Sequence, residues 1–226
     1  MNSSRDAAAK SGSPRNLVIL GAGGFAREVA WLVADINQAR PGTWNVVGFW
    51  EHGTARTGQL INGIPIVSPD EVKKYLPELY AVAAIGAPKI KERAVDEARA
   101  SGCQFTTLVH PTVQYDRTTV SIDPGSIICA GNVLTVNVTI GAHVIINLDC
   151  TIGHDSLIED YVTLSPGCHL SGYTTVRRGA FWGTGAVSIE RREIGAGAII
   201  GAGAVIVGDI PAGVTAMGVP AKAREK

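Results

Sequence analysis

The sequence predicts two domains in series: a small α/β domain built on a parallel sheet, then a parallel β-helix of six-residue repeats. The repeat is the strongest of the observations behind this reading. Counting in sixes from Ile122 to Ile206, thirteen of fifteen positions are aliphatic, with Trp182 and Ser188 the exceptions. Four residues after each, the side chain is usually small, as at Ser126, Val138, Cys150, Ala180 and Ala198. Glycine recurs three residues after, as at Gly125, Gly167 and Gly197. No helix or alternating strand holds such a period, whereas self-similarity at fixed spacing marks a solenoid. Before the repeat, strand-length apolar runs alternate with helical patterns, and the first run ends in a glycine-rich turn.

That first run is Leu17-Val18-Ile19-Leu20, and the turn is Gly21-Ala22-Gly23-Gly24-Phe25-Ala26. A helix follows with Val29, Leu32, Val33 and Ile36 on one face, and Pro41-Gly42 ends it. Val46 to Trp50 is a second strand. Ser68-Pro69-Asp70-Glu71 has capping-box spacing with proline at the first helical position, so a helix starts there. Ala81 to Ile85 is a third strand closed by Gly86, Pro88 to Ala100 a helix stopped at Gly102, and Phe105 to Val109 a fourth strand. Strands alternating with helices imply a small parallel sheet of Rossmann type. The expected boundaries are a disordered tail over 1–15, the α/β domain over 16–109, and the β-helix with its C-terminal cap over 110–226.

The Gly21-x-Gly23-x-x-Ala26 turn lets backbone approach a phosphate at a helix N-terminus, where free amides favour anions. A plain tight strand–helix turn would look the same. A nicotinamide-dependent oxidoreductase is disfavoured, because only about ninety residues precede the repeat, too few for two mononucleotide halves. The first acidic residue after the second strand, Glu51, also comes thirty residues after the turn rather than about twenty. Gly21 to Phe25, Glu51-His52, Gly86 and His110 all follow carboxyl ends of expected strands, the edge where open α/β sheets bind ligands. A mononucleotide or nucleotide-sugar site fits that edge.

Composition narrows the classes. Twenty basic and twenty acidic residues cancel, so no broad field favours nucleic acid or an anionic membrane surface. No apolar run reaches the roughly 18 residues of a membrane span, and the opening segment lacks a signal-peptide core. The expectation is a soluble, cytoplasmic protein. Cys103, Cys129, Cys150 and Cys168 show no metal spacing. Cys150 and Cys168 lie one eighteen-residue turn apart, close enough to bridge, but buried thiols fit a reducing compartment better.

In the solenoid, three hexads make a coil. The column falters at Ser188, with Arg191 and Arg192 where small residues belong, which reads as a distorted corner; Pro211, Gly213 and Gly218-Val219-Pro220 form the cap. Among the five histidines, His154 stands out. It sits at a corner, Asp155 follows it, and Gly172 lies eighteen residues on, leaving room and a backbone amide beside the ring. A general base next to an open amide suits acyl transfer. A solvated corner histidine is the alternative. His143 and His169 read as surface residues, and His110 marks the domain joint. No metal site is expected.

Together, Gly21-Ala-Gly-Gly-Phe-Ala-Arg-Glu-Val29, the hexads, Asn147…Gly153-His154-Asp155, Leu164-Ser-Pro-Gly167 and Gly218-Val-Pro-Ala-Lys222 resemble the left-handed β-helix sugar acyltransferases. These are the sialic-acid O-acetyltransferase-like family, which includes nucleotide 4-amino-sugar N-acetyltransferases of bacterial glycan synthesis. The resemblance spans nearly the whole chain from Asn16 and implies a left-handed β-helix, acetyl-CoA as acyl donor, a nucleotide-sugar acceptor, and a homotrimer with its active sites at subunit junctions. It also implies His154 as general base, Asp155 as the carboxylate that raises its basicity, and Asn147 near the acceptor amine. Gly23, Gly24, Phe25, Glu51, His52 and Gly86 fall on nucleotide-sugar contacts. Thr163, Gly172, Thr184, Ala202 and Pro220 fall on acetyl-CoA contacts. The family commonly carries Asp-Asp where this chain has Glu51-His52, and a cofactor-touching histidine where it has Thr163. A non-catalytic nucleotide-sugar-binding or scaffold protein is the competing class.

Overall fold

The computed structural model describes residues 13–224. Residues 1–12 of the expected tail lie outside the described residues, and Arg15 already opens a strand. The α/β domain runs β1 (Arg15–Leu20), α1 (Gly24–Ala39), β2 (Trp44–Trp50), a short hairpin of β3 (Leu60–Ile61) and β4 (Ile64–Pro65), α2 (Pro69–Lys73), β5 (Leu79–Ala83), α3 (Pro88–Ala100) and β6 (Gln104–Phe105). The sheet order is β2-β1-β5-β6, all parallel. Leu17, Val18 and Ile19 at the centre are fully buried because β1 has a neighbour on each side and helices on its faces. The capping box at α2 forms as its sequence requires. Ser68 accepts from the Glu71 amide, and Glu71 accepts from the Ser68 amide.

The expected fourth strand splits in two. Gln104–Phe105 closes the α/β sheet, while Leu108–Val109 pairs with Ile127–Ile128 and is already the first rung of the solenoid. The first coil escaped the count in sixes because Tyr115 and Ile122 are seven residues apart. The extra residue is absorbed in the turn at Asp116, which accepts hydrogen bonds from Thr118 and Thr119.

Each later coil places three two-residue rungs on three parallel sheets, which form the faces of a prism. The second residue of a rung points inward: Ile128, Ile146, Leu164 and Trp182 on the first face are fully buried. The first residue points outward. On the lower coils of the first face the outward residues Leu108, Ile127, Ile145 and Thr163 are buried too, because the α/β domain packs over them, whereas Ile199 higher up is exposed. Lys91 of α3 reaches into this joint, donating to the Val162 carbonyl (3.2 Å) and to Thr163 Oγ1 (2.9 Å). Its burial, with no carboxylate beside it, pushes its pKa well below the usual lysine range. His110 ties the first coil to α1 through Asp35 (3.0 Å), as its place at the joint suggested.

The corner at Ser188–Glu193 is regular rather than distorted. Arg191 takes the left-handed backbone (φ 59°) that Tyr173, Asp155 and Asn137 take one, two and three coils earlier. The arginine side chain points outward, so a large residue fits. His143 is also corrected. It is buried, stacked on Tyr161 and edge-on to Phe105, because the end of α3 covers its corner. All four cysteines are free thiols; Cys150 and Cys168 donate to the Ser165 and Gly183 carbonyls.

Candidate active site

The three prism corners separate the candidate residues by position. His154 lies at the corner between the second and third faces, away from the face covered by the α/β domain. Its side chain is about half exposed. Asp155 Oδ2 lies 2.8 Å from His154 Nδ1. Hydrogen bonds from His154 and Asn137 hold the Asp155 carboxyl below its usual range. An ionised carboxylate only accepts, so Nδ1 carries the ring proton and Nε2 is left bare to take another. Tyr173 presents its edge to the ring at 5.2 Å.

Gly172 stacks over His154 as the eighteen-residue turn requires. A Cβ on Gly172 would sit 2.7 Å from Cε1 and Nε2 of the imidazole, so only glycine leaves the ring its place. Among the described residues no acceptor pairs with the Gly172 amide, which leaves a donor free beside the base. The corner therefore holds a base with a bare nitrogen, a carboxylate that orients it, and an open N–H.

The carboxyl edge of the α/β sheet carries a separate cleft of about 590 Å³, lined by Gly21, Ala22, Trp50, Glu51 and His52. Gly21 requires its glycine, since φ is +97° and a Cβ would meet the Ala84 carbonyl and Ile85. Glu51 pairs with Arg56 (3.1 Å), and His52 Nδ1 lies 3.4 Å from Glu97 Oε2. Sequence reasoning missed the far wall, Ile90, Arg93 and Glu97 of α3. Ile90, in the first turn of that helix, is exposed, but the sequence does not say which way that helix face points. Gly23, Gly24, Phe25 and Gly86 belong to the same two strand–helix turns but do not line this cleft. A larger cleft, about 730 Å³, opens at the opposite, amino edge near Arg15, Arg40 and Arg117 and contains none of these residues.

The remaining acetyl-CoA candidates divide. Thr184 and Ala202 stack one above the other on the corner between the first and second faces, both exposed, and Asn147 lies lower on that same corner. Pro220 is exposed in the strap over the last coil, where the Ala221 amide donates to the Val205 carbonyl. Thr163 is a correction: it is buried under α3 with Oγ1 held by Lys91, so it offers no surface to a cofactor. Among the described residues no group of His, Cys, Asp or Glu could hold a metal ion, and no helix is long and apolar enough to cross a membrane.

Comparison with known proteins decides the family. GDP-perosamine N-acetyltransferase of Escherichia coli O157:H7 is 33% identical over 212 residues, covering 90% of this chain and 94% of that protein. The chain belongs to the hexapeptide-repeat sugar acetyltransferases. Its residues 16–98 match the PglD N-terminal domain family. The acetyltransferase domain of PglB from Neisseria gonorrhoeae, solved with acetyl coenzyme A, is 33% identical with a TM-score of 0.82, covering 94% of this chain and all of that one. PerB from Caulobacter crescentus, solved with CoA and GDP-perosamine, is 30% identical with a TM-score of 0.82 over 96% of this chain and 99% of that one. The fold is thus an α/β domain followed by a left-handed β-helix, and the chain is an acetyl-CoA-dependent acetyltransferase.

Proposed function

We propose that this protein transfers the acetyl group of acetyl-CoA to the amino group of a nucleotide-linked amino sugar, with His154 as general base. The carrying observation is the His154 corner: Nδ1 bonded to Asp155, Nε2 bare, and the Gly172 amide free beside the ring. Two relatives bear GDP-perosamine in their names, which supports a nucleoside-diphosphate amino sugar as acceptor. The cleft beside Gly21 is its expected seat, with the phosphates toward the α1 turn.

In the reaction, the sugar nitrogen attacks the thioester carbonyl carbon and a C–N bond forms. His154 Nε2 takes the proton that the nitrogen sheds. The carbonyl oxygen becomes an oxyanion and accepts a hydrogen bond from the Gly172 amide. As the C–S bond breaks, the CoA thiolate leaves and takes up the proton from the imidazolium. Asp155 stays ionised throughout and stabilises the charged ring.

One chain does not bring these parts together. The cleft lies in the α/β domain, Asn147, Thr184 and Ala202 on the corner between the first and second faces, and His154 with Gly172 on the corner between the second and third. A second copy that sets its Asn147 and Thr184 corner against the His154 corner would complete the site. This supports a homotrimer with one site at each junction, working in the cytoplasm where acetyl-CoA is made. Subunit complementation tests it. His154→Ala and Ala22→Glu chains are each expected to be inactive alone, and co-expressed chains to regain part of the activity. Mixed oligomers that stay inactive would place each whole site within one chain. The acceptor is identified by incubating the protein with acetyl-CoA and UDP-, GDP- and dTDP-amino sugars and reading acetylated product by mass spectrometry. Absence of product from every amino sugar, with protein that is folded and oligomeric, would overturn the proposed activity.

A further inference from the structure

The carboxylate that orients His154 is itself held from the coil below. Asp155 has two oxygens. Oδ2 meets His154 Nδ1, and Oδ1 accepts from Asn137 Nδ2 at 3.0 Å. Asn137 lies eighteen residues earlier, one coil down the same corner, and both residues take the left-handed backbone (φ 54° and 57°). Equal backbone conformations on adjacent coils, about 4.8 Å apart, send the two side chains outward side by side. Asn137 is anchored in turn. Its backbone N–H donates to Thr119 Oγ1 (3.2 Å), and that hydroxyl donates to Asp116 Oδ2 (2.9 Å). A line of hydrogen bonds therefore climbs from Asp116 through Thr119, Asn137 and Asp155 to His154.

We infer that Asn137 is a positioning residue for the transfer reaction, acting on His154 through Asp155; this rests on the reading of His154 as the base. A carboxylate's terminal torsion is broad, so a free Asp155 samples orientations in which neither oxygen lines up with Nδ1. With Oδ1 held by the Asn137 amide, Oδ2 stays in line with Nδ1. The amide also draws charge from the carboxylate, which limits how strongly Asp155 stabilises the imidazolium. Removing it has two effects. The ring loses its fixed aim, which slows the chemical step. The less neutralised carboxylate holds the imidazolium proton to higher pH, which moves the acidic limb of the pH–rate profile upward. The other groups facing this pair are Tyr173, whose ring meets His154 edge to face and whose side chain also helps hold the Asp155 carboxyl low, Arg191 over the Tyr173 ring at 4.3 Å, and the Gly172 backbone.

Two variants separate positioning from folding. Asn137→Gly removes the side chain and suits the positive φ without strain. Asn137→Asp keeps shape and backbone preference but replaces the donor with a second negative charge. Acetyl transfer is measured across pH with acetyl-CoA and the identified amino sugar, alongside thermal unfolding. Asn137→Gly is expected to lower kcat about tenfold, less than the roughly 10²–10⁴-fold of the general base itself because His154 stays in place, with KM for both substrates unchanged. Its acidic limb moves to higher pH, and that of Asn137→Asp moves further. Acidic limbs that coincide with wild type in both variants would overturn the proposal, as would a loss appearing only in KM or in unfolding temperature. If His154→Ala retains wild-type turnover, the base assignment itself fails. If His154→Ala is inactive while the limbs stay fixed, only the role of Asn137 fails.

Discussion

Replacing Gly172 with alanine places a methyl group against the His154 ring. The new Cβ would lie 2.7 Å from Cε1 and Nε2 and 3.0 Å from Nδ1. Unstrained carbon contacts sit at about 3.5–4.0 Å, so the ring must retreat by about 1 Å. The Nδ1–Asp155 bond at 2.8 Å stretches or breaks with it. A displacement of about 1 Å at a reacting group costs on the order of 10²-fold in rate. Backbone strain adds nothing, since Gly172 is not among the positive-φ glycines. The half-exposed histidine swings toward solvent without disturbing the solenoid core. The expected result is a fall of about 10²-fold in kcat/KM, followed by thiol release from acetyl-CoA, with the unfolding temperature little changed. Wild-type kcat/KM in a folded Gly172→Ala protein would refute the stacking of Gly172 on a catalytic ring.

Asp155→Asn keeps the shape of the carboxylate but not its charge. It should lower kcat less than loss of His154 does and change the pH–rate profile; an unaltered profile would leave Asp155 a surface residue. Thr163→Val removes the acceptor of the buried Lys91 hydrogen bond. It should cost about 1–3 kcal/mol of stability and leave KM for acetyl-CoA unchanged; a raised KM with intact stability would restore Thr163 to the cofactor. His143 gives a pH test of the joint. Burial first, then the Arg99 and Lys91 charges, outweigh Asp160 and Asp96 and push its pKa from 6.5 down to about 4. The folded state keeps the ring neutral while the unfolded state protonates it, so stability is whole above pH 6.5 and drains as pH falls toward 4. Linkage puts the loss between pH 7 and pH 5 at about 2 kcal/mol. His143→Asn, which tolerates the same backbone, should lose correspondingly less over that range by denaturant unfolding. Equal losses in both proteins would contradict the buried, neutral ring.

The solenoid was legible because its period is a property of the backbone: every inward position from Ile122 to Ile206 repeats the same burial problem, so the same residue types recur. The first coil was hidden by a single extra residue before Ile122. The outward isoleucines Ile127 and Ile145, eighteen residues apart, announced that something covers the first face, and the next residue in that column is Thr163. Read as a column rather than as a motif position, Thr163 belonged to the covered set. His154, Asp155 and Gly172 were legible because two of them share a corner and the third is one turn away. Asn137 was equally one turn away, but an asparagine at a left-handed corner is ordinary, and only its bond to Asp155 distinguishes it. The α3 wall of the cleft was not legible from strand ends alone, since it depends on where a helix face lies in space.

The most direct test of the account is acetyl transfer by His154→Ala. Purified wild-type and variant proteins are given acetyl-CoA and a nucleotide-linked amino sugar, and product is followed by mass spectrometry while size and unfolding temperature are checked in parallel. The account predicts a kcat lower by about 10²–10⁴-fold, the usual contribution of a positioned general base, in a protein that keeps its size and unfolding temperature. Near-normal turnover by the folded variant would contradict it.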